Sequence, residues 1–176
     1  MAAAGALAAG VAPLVLTLEL DGQSFAAFDA LRRRYYAPER NQVPAHVTLF
    51  RSLPGERARE IKAFLAILAA DEKPLDIGAG EARATERGVA IFLKSARLHA
   101  LRQTLAAEWR PWLTDQDRAG FRPHVTIMTT ESEAEARRTM AEIGATFHIR
   151  RIHGVGLHLW RYLDGPWESE RVFRFR

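Results

Sequence analysis

The sequence predicts one domain of mixed helix and strand, and three observations carry that expectation. The chain has 176 residues, 48% of them apolar, which suits a single domain with a sizeable core. Extended and helical patterns alternate along it. One tripeptide, His-Val-Thr, occurs twice, each time ahead of a helical segment and behind a loop containing proline. That is a coarse duplication, not a tandem repeat of solenoid type.

Residues 1–12 read as a loose tail, mostly Ala and Gly. Residues 1–18 carry no charged side chain, yet Pro13 interrupts them. A spanning helix needs about 20 strongly apolar residues, and a signal peptide needs a basic start. VLTLEL (15–20) alternates apolar and polar residues and ends at the Asp21-Gly22 turn signal, so it is expected as the first strand. Ser24 can cap a helix through FAAFDALRRRYY, with Phe25, Phe28 and Leu31 on one face and Pro38 ending it. HVTLF (46–50) reads as a short strand. A second helix is expected from about Glu56 to Ala70, with Ile61, Phe64, Leu65 and Leu68 as its apolar stripe.

PLDIGAGEARATERGVAIFLKS fits two strands joined near Glu86-Arg87-Gly88. ARLHALRQTLAAEW is a third helix that Pro111 ends. After the loop LTDQDRAGFRP comes HVTIM (124–128), another strand, and then a fourth helix from Glu131 to Ile143, ended by Gly144. The remaining residues read as two strands around Asp164-Gly165-Pro166.

Composition narrows the chemistry. Zero cysteine excludes a disulfide scaffold, a zinc ribbon, an iron–sulfur cluster and a thiol nucleophile, and fits a reducing cytoplasm. The net charge of +4 is mild, but it is built from 22 Arg and 3 Lys. Arginine suits bidentate contact with phosphate. An arginine bias also follows from GC-rich coding.

The repeated tripeptide carries the functional expectation. Side chains alternate along a strand, so His46 and Thr48 share one face while Val47 enters the core. His124, Thr126 and Val125 repeat the arrangement 78 positions later. If the two strands face each other, two imidazoles and two hydroxyls converge. A neutral imidazole can take a proton from water, and a charged one can give a proton to a leaving oxygen. Threonine hydroxyls can hold the non-bridging phosphate oxygens. Such chemistry on a phosphodiester requires neither metal nor cofactor.

With its flanks, PERNQVPAHVTLF and LTDQDRAGFRPHVTI, and its closing GLHLWRYLDGPWE, the chain resembles the 2H phosphoesterase superfamily, in particular the bacterial 2′-5′ RNA ligase and cyclic phosphodiesterase-like proteins. The resemblance runs over most of residues 14–176. It implies a bilobed α+β fold for residues 13–176, with two pseudo-symmetric antiparallel-sheet lobes, helices packed outside and a central cleft. It implies His46 and His124 as the catalytic pair, with Thr48 and Thr126 binding phosphate. It further implies that the first histidine is the acid and the second the base. The expected substrates are 2′,3′-cyclic phosphates or 2′-5′ linkages on RNA ends or nucleotides. A non-catalytic RNA- or phosphate-binding module, a 2′-5′ RNA ligase and an enzyme acting on a small non-RNA metabolite are the alternatives. No cofactor, metal or membrane partner is expected, and the chain is expected to be a cytoplasmic monomer.

Strand parity nominates further substrate contacts. Arg122 shares a face with His124 if the strand continues back through Pro123, and Phe50 shares one with Thr48, where it suits packing more than contact with a base. Arg51 then points away, although its place at the end of the strand lets it swing. Tyr36, at the end of the first helix, suits a stacked base or the core. Trp160, Tyr162 and Trp167 suit hairpin packing, with one of them free to reach the cleft. His99 suits a solvated helix face. His148, His153 and His158 are spaced so that consecutive ones fall on opposite strand faces, which disfavours a metal site.

Overall fold

The computed structural model describes residues 11–176. Residues 1–10, where most of the expected tail falls, lie outside the described residues. The strands are β1 (Leu14–Leu20), β2 (Val47–Leu53), β3 (Leu75–Thr85), β4 (Gly88–Lys94), β5 (His124–Thr129), β6 (Arg151–Tyr162) and β7 (Trp167–Arg174). The helices are α1 (Gly22–Tyr35), α2 (Ala58–Asp71), α3 (Ala96–Glu108), the single-turn α4 (Asp115–Arg118) and α5 (Glu133–Thr146). None of these helices is long and apolar enough to cross a membrane.

All seven strands join one antiparallel sheet, in the order β2-β1-β6-β3-β4-β5, with β7 also on β6. The long strand β6 joins the two halves: residues 154–161 pair with β1, and residues 151–154 pair with β3. Val155 is an extra residue against β1, between the partners of Glu19 and Leu20, so β6 carries a bulge where it passes from one half to the other. The architecture is α+β, as the resemblance implies. The two motif strands, β2 and β5, end the sheet order, and the sheet curls until these edges approach each other. Each open edge is thereby shielded by the other half rather than left free to recruit a foreign strand.

The helices cover the convex faces. α2 packs on β6 and β7, α5 on β3 and β4, and α1 crosses from the first half to pack on β5. Leu14, Leu16, Phe28, Ile61, Leu65, Ile91, Leu98, Val125 and Ile152 are completely enclosed. Thr17, expected on a polar face, is buried too, and its hydroxyl accepts from the Trp160 indole N–H at 2.9 Å. Gly88 closes the β3–β4 turn with φ of +149°. A Cβ there would meet the Met128 carbonyl oxygen at 2.0 Å, so the turn admits only glycine.

Local differences from the sequence pattern have physical causes. Asp21, not Ser24, caps α1: its carboxylate accepts from the Ser24 backbone N–H at 2.8 Å. Ser24 is buried, and its hydroxyl accepts from the His153 backbone N–H. The loop after Pro111 holds α4, capped by Thr114. α5 runs through Gly144 to Thr146, a glycine cost that packing of Ile143 outweighs.

Candidate active site

The motif histidines stand at the starts of the two edge strands, and Val47 and Val125 anchor those strands in the core. His46, Thr48, His124 and Thr126 line one cavity of about 400 Å³, so both motifs open on the same space. The two imidazoles are held alike. His46 Nδ1 lies 2.7 Å from the Pro44 carbonyl oxygen, and His124 Nδ1 lies 2.8 Å from that of Arg122, each two residues back. A carbonyl oxygen only accepts, so both Nδ1 atoms carry hydrogen. Each ring therefore keeps Nε2 for the cavity, to take a proton when neutral or give one when charged.

The surroundings of the two rings differ. His46 is half-buried and packs on the Trp167 indole, with ring centroids 4.8 Å apart. Burial pushes its pKa down from 6.5 to about 4; the Pro44 hydrogen bond opposes this, and the charges of Arg32, His124 and Arg51 add to it. His124 packs instead on Phe92, with ring centroids 5.4 Å apart.

Both motif strands carry the same irregularity. On β2, Thr48 pairs with Thr17 and Phe50 with Leu16, so Leu49 is an extra residue. On β5, Thr126 pairs with Ala90 and Met128 with Val89, so Ile127 is an extra residue. Each bulge follows the motif threonine and reverses the alternation after it. This corrects the nomination of Phe50 as a substrate contact and leaves it in the packing role. Its ring is fully enclosed, 5.2 Å from Trp109 and beneath the Arg102 guanidinium at 3.6 Å. Arg51, expected to point away, lines the cavity instead.

Two other expectations also need correcting. Tyr36 does not line the cavity; its ring stacks on the Arg32 guanidinium at 4.3 Å. Arg122 lies one compartment away, with its guanidinium 4.9 Å above the Phe92 ring. Tyr162 and Trp167, at the β6–β7 turn, close the cavity opposite the motifs, and Gln116 and Ser52 complete its rim. The sequence allowed one of Trp160, Tyr162 and Trp167 to reach the cleft, and the structure brings two of them, Tyr162 and Trp167. No local pattern marks Gln116.

Two buried arginines support the motif strands crosswise. Arg32, on the helix that precedes the first motif, reaches the second: Nη1 donates to the Thr126 carbonyl at 2.7 Å. Its Nη2 donates to Asn41 Oδ1 at 2.8 Å and the Val43 carbonyl at 3.0 Å. Arg102, on the helix that precedes the second motif, reaches the first: Nε donates to the Leu49 carbonyl at 2.7 Å and Nη2 to that of Asp117 at 2.5 Å. The Asp117 carboxylate in turn accepts from the backbone N–H groups of Arg51 and Ser52, at 2.9–3.1 Å. Burial lowers the pKa of both arginines, yet a guanidinium stays charged.

The other histidines do not line this cavity, though His158 borders a neighbouring one together with His46. His158 stacks on Trp160 at 3.6 Å and contacts Glu19 and Ser169. His153 meets Asp76 at 2.9 Å. His99 is partly covered by the edge of Phe121 rather than fully solvated.

The model of the 2′-5′ RNA ligase superfamily matches residues 20–166, a span that takes in both motifs. The chain belongs to this superfamily. No curated protein matches it. Among solved structures, TT0787 of Thermus thermophilus is similar at 17% identity and a TM-score of 0.63, over 93% of this chain and 98% of that one. Apo LigT of E. coli is similar at 14% identity and 0.60, over 95% and 99%. A LigT structure complexed with 3′-AMP is similar at 17% identity and 0.57, over 94% and 98%. At these identities the likeness establishes the fold. For a 2′-5′ RNA ligase superfamily member, the two-motif cavity is the natural place to seek chemistry.

Proposed function

We propose that the protein is a phosphodiesterase that opens 2′,3′-cyclic phosphates, or cleaves 2′-5′ linkages, on RNA ends or nucleotides by two-histidine acid–base catalysis without a metal. The observation that carries this reading is the convergence of both motifs on one cavity, with each Nδ1 tied to a carbonyl and each Nε2 left for substrate. The superfamily supports phosphoester chemistry. The 3′-AMP held by LigT, a nucleotide phosphorylated on a ribose oxygen, supports the substrate class.

The low pKa of His46 favours it as the base, since its ring is neutral near pH 7. This reverses the order implied by the family resemblance. A water attacks phosphorus, forming the new P–O bond and passing its proton to His46 Nε2. The bond from phosphorus to the ribose leaving oxygen breaks, and that oxygen takes the proton of His124 Nε2. The products are a phosphomonoester and a ribose hydroxyl. Thr48, Thr126 and Arg51 hold the non-bridging oxygens as charge gathers on them.

The test is turnover of a 2′,3′-cyclic nucleotide in EDTA. Activity should persist with chelator, follow a bell-shaped pH profile and fall about 10²- to 10⁴-fold in both His46→Ala and His124→Ala. Full activity in either variant refutes the two-histidine mechanism.

A further inference from the structure

Beside the two-motif cavity, one row of side chains crosses three neighbouring strands. Glu19 on β1, His158 on β6 and Ser169 on β7 are joined end to end. His158 Nδ1 lies 3.2 Å from Glu19 Oε2, and its Nε2 lies 2.7 Å from Ser169 Oγ. A carboxylate only accepts, so Nδ1 carries the hydrogen and Nε2 is left to accept from the Ser169 hydroxyl. This is the order of parts in a Ser–His–acid triad: a nucleophile, a base, and the group that orients the base.

Local irregularities of the sheet build the row. Leu159 pairs with Arg171 and Trp160 with Ser169, so Glu170 is an extra residue on β7. An unbroken ladder would set Glu170 opposite Trp160; the bulge puts Ser169 there, within reach of His158. Glu170 pairs instead with Lys62 and Arg161. Glu19 has Gly156 as its partner on β6, and its side chain leans along that strand to His158. The Trp160 ring stacks on His158 with centroids 3.6 Å apart, and its indole N–H is tied to Thr17, which fixes the imidazole plane. The His158 side chain is only 12% exposed, whereas Ser169 is open to solvent. Other serines are engaged differently. Ser24 accepts from the His153 N–H, and Ser95 and Ser132 cap α3 and α5. Among the described residues, Ser169 alone has its hydroxyl on an imidazole. His158 and Glu19 also border a cavity of about 550 Å³ with an apolar wall of Phe25, Pro44, Ala45 and Val155.

We propose that Ser169, His158 and Glu19 form a second reactive centre, in which Ser169 takes the acyl group of small carboxylic esters, with the apolar wall receiving the acyl chain. Ser169 Oγ bonds to the ester carbonyl carbon and passes its proton to His158 Nε2. The bond from that carbon to the alcohol oxygen breaks, and the oxygen leaves with the proton. Water then attacks the acyl carbon by the same route, which releases the acid and restores the serine hydroxyl. No step uses His46 or His124.

The experiment treats the native chain with an alkyl fluorophosphonate, which bonds to an activated serine through phosphorus and loses fluoride, and follows hydrolysis of p-nitrophenyl acetate in parallel. Intact mass and peptide mapping should find about one phosphonyl group per chain, on Ser169, with ester hydrolysis falling as the label accumulates. Ser169→Ala should lose both at a native Tm, while its turnover of a 2′,3′-cyclic nucleotide stays within about twofold of native. Glu19→Gln should slow both about tenfold or more, since an amide neither compels the tautomer nor offsets the charge of the imidazolium. The second centre is overturned by no label, by a label on another residue such as Ser52, or by ester hydrolysis that survives in Ser169→Ala. A labelling rate unmoved in Glu19→Gln, or cyclic-nucleotide turnover lost with the label in Ser169→Ala, overturns it too. Cyclic-nucleotide turnover by the native chain tests the phosphodiesterase reading separately.

Discussion

Replacing Arg32 by methionine should weaken the fold and the catalytic site together. The side chain is buried and donates three hydrogen bonds, to the carbonyls of Thr126 and Val43 and to Asn41 Oδ1. The Asn41 amide can rotate to water, whereas the two backbone carbonyls are fixed in place and lose their donor. Each costs about 1–3 kcal/mol when left unpaired in the interior, and methionine recovers part of that through apolar burial. The net loss should be about 3 kcal/mol, which for a chain of this size lowers Tm by about 9 °C. The same change removes a positive charge that helps to hold the His46 pKa down. His46 would then bind its proton at a higher pH. A protonated His46 cannot act as base, so the acidic limb of the pH–rate profile should move to higher pH. Arg32→Lys separates the two effects. An ammonium keeps the charge but cannot span three acceptors, so it should lose stability while keeping the limb near its native position. Thermal unfolding by circular dichroism and a kcat/KM–pH series read both quantities. A Tm within about 2 °C of native together with an unmoved limb would refute the role of Arg32 as a brace.

Three further outcomes follow from the same geometry. His46 has a folded-state pKa near 4 against 6.5 unfolded, so the unfolded state binds its proton first; stability should fall as pH drops from about 6.5 to about 4, by at most about 3 kcal/mol, and denaturant titrations should show this slope flattened in His46→Gln. Phe50→Ala should cost about 3–5 kcal/mol by emptying an enclosed core position, whereas Arg51→Ala should stay within about 0.5 kcal/mol of native stability and lower kcat/KM, which urea titration and steady-state kinetics distinguish. Trp167→Ala removes the indole that covers His46 and admits water, so the acidic limb of the pH–rate profile should move to higher pH without loss at its plateau.

The strands and helices were legible in the sequence because apolar period and turn chemistry are local. VLTLEL, HVTLF, VAIFLKS and HVTIM each fall within an observed strand or one residue of it. The pairing of His46 with His124 was legible for a different reason, since a motif repeated at one offset implies a repeated environment. Parity reasoning failed just beyond the first motif. A bulge depends on what the partner strand can pair with, and neither Leu49 nor Ile127 announces itself as the extra residue. That single irregularity exchanged the expected places of Phe50 and Arg51. Arg32 sits in an Arg-Arg-Arg run at the C-terminal end of α1, where cations complement the helix dipole. Arg33 and Arg34 are exposed there, while Arg32 faces inward onto a strand 94 positions away.

The duplication explains why two identical motifs need not do identical work. Each half supplies an edge strand with His, Thr and a bulge, so the two imidazoles meet with the same tautomer and the same free nitrogen. An acid–base pair needs one proton donor and one acceptor at the same pH, which a fully symmetric site disfavours. The difference arises outside the motifs. The β6–β7 hairpin belongs to one half only, and it places Trp167 over His46, while His124 packs on Phe92. The crosswise arginines add to the contrast, because Arg32 lies close enough to oppose a charge on His46. Trp167 and Arg32 thus act on His46, and the unpaired hairpin is the part of the fold that breaks the symmetry.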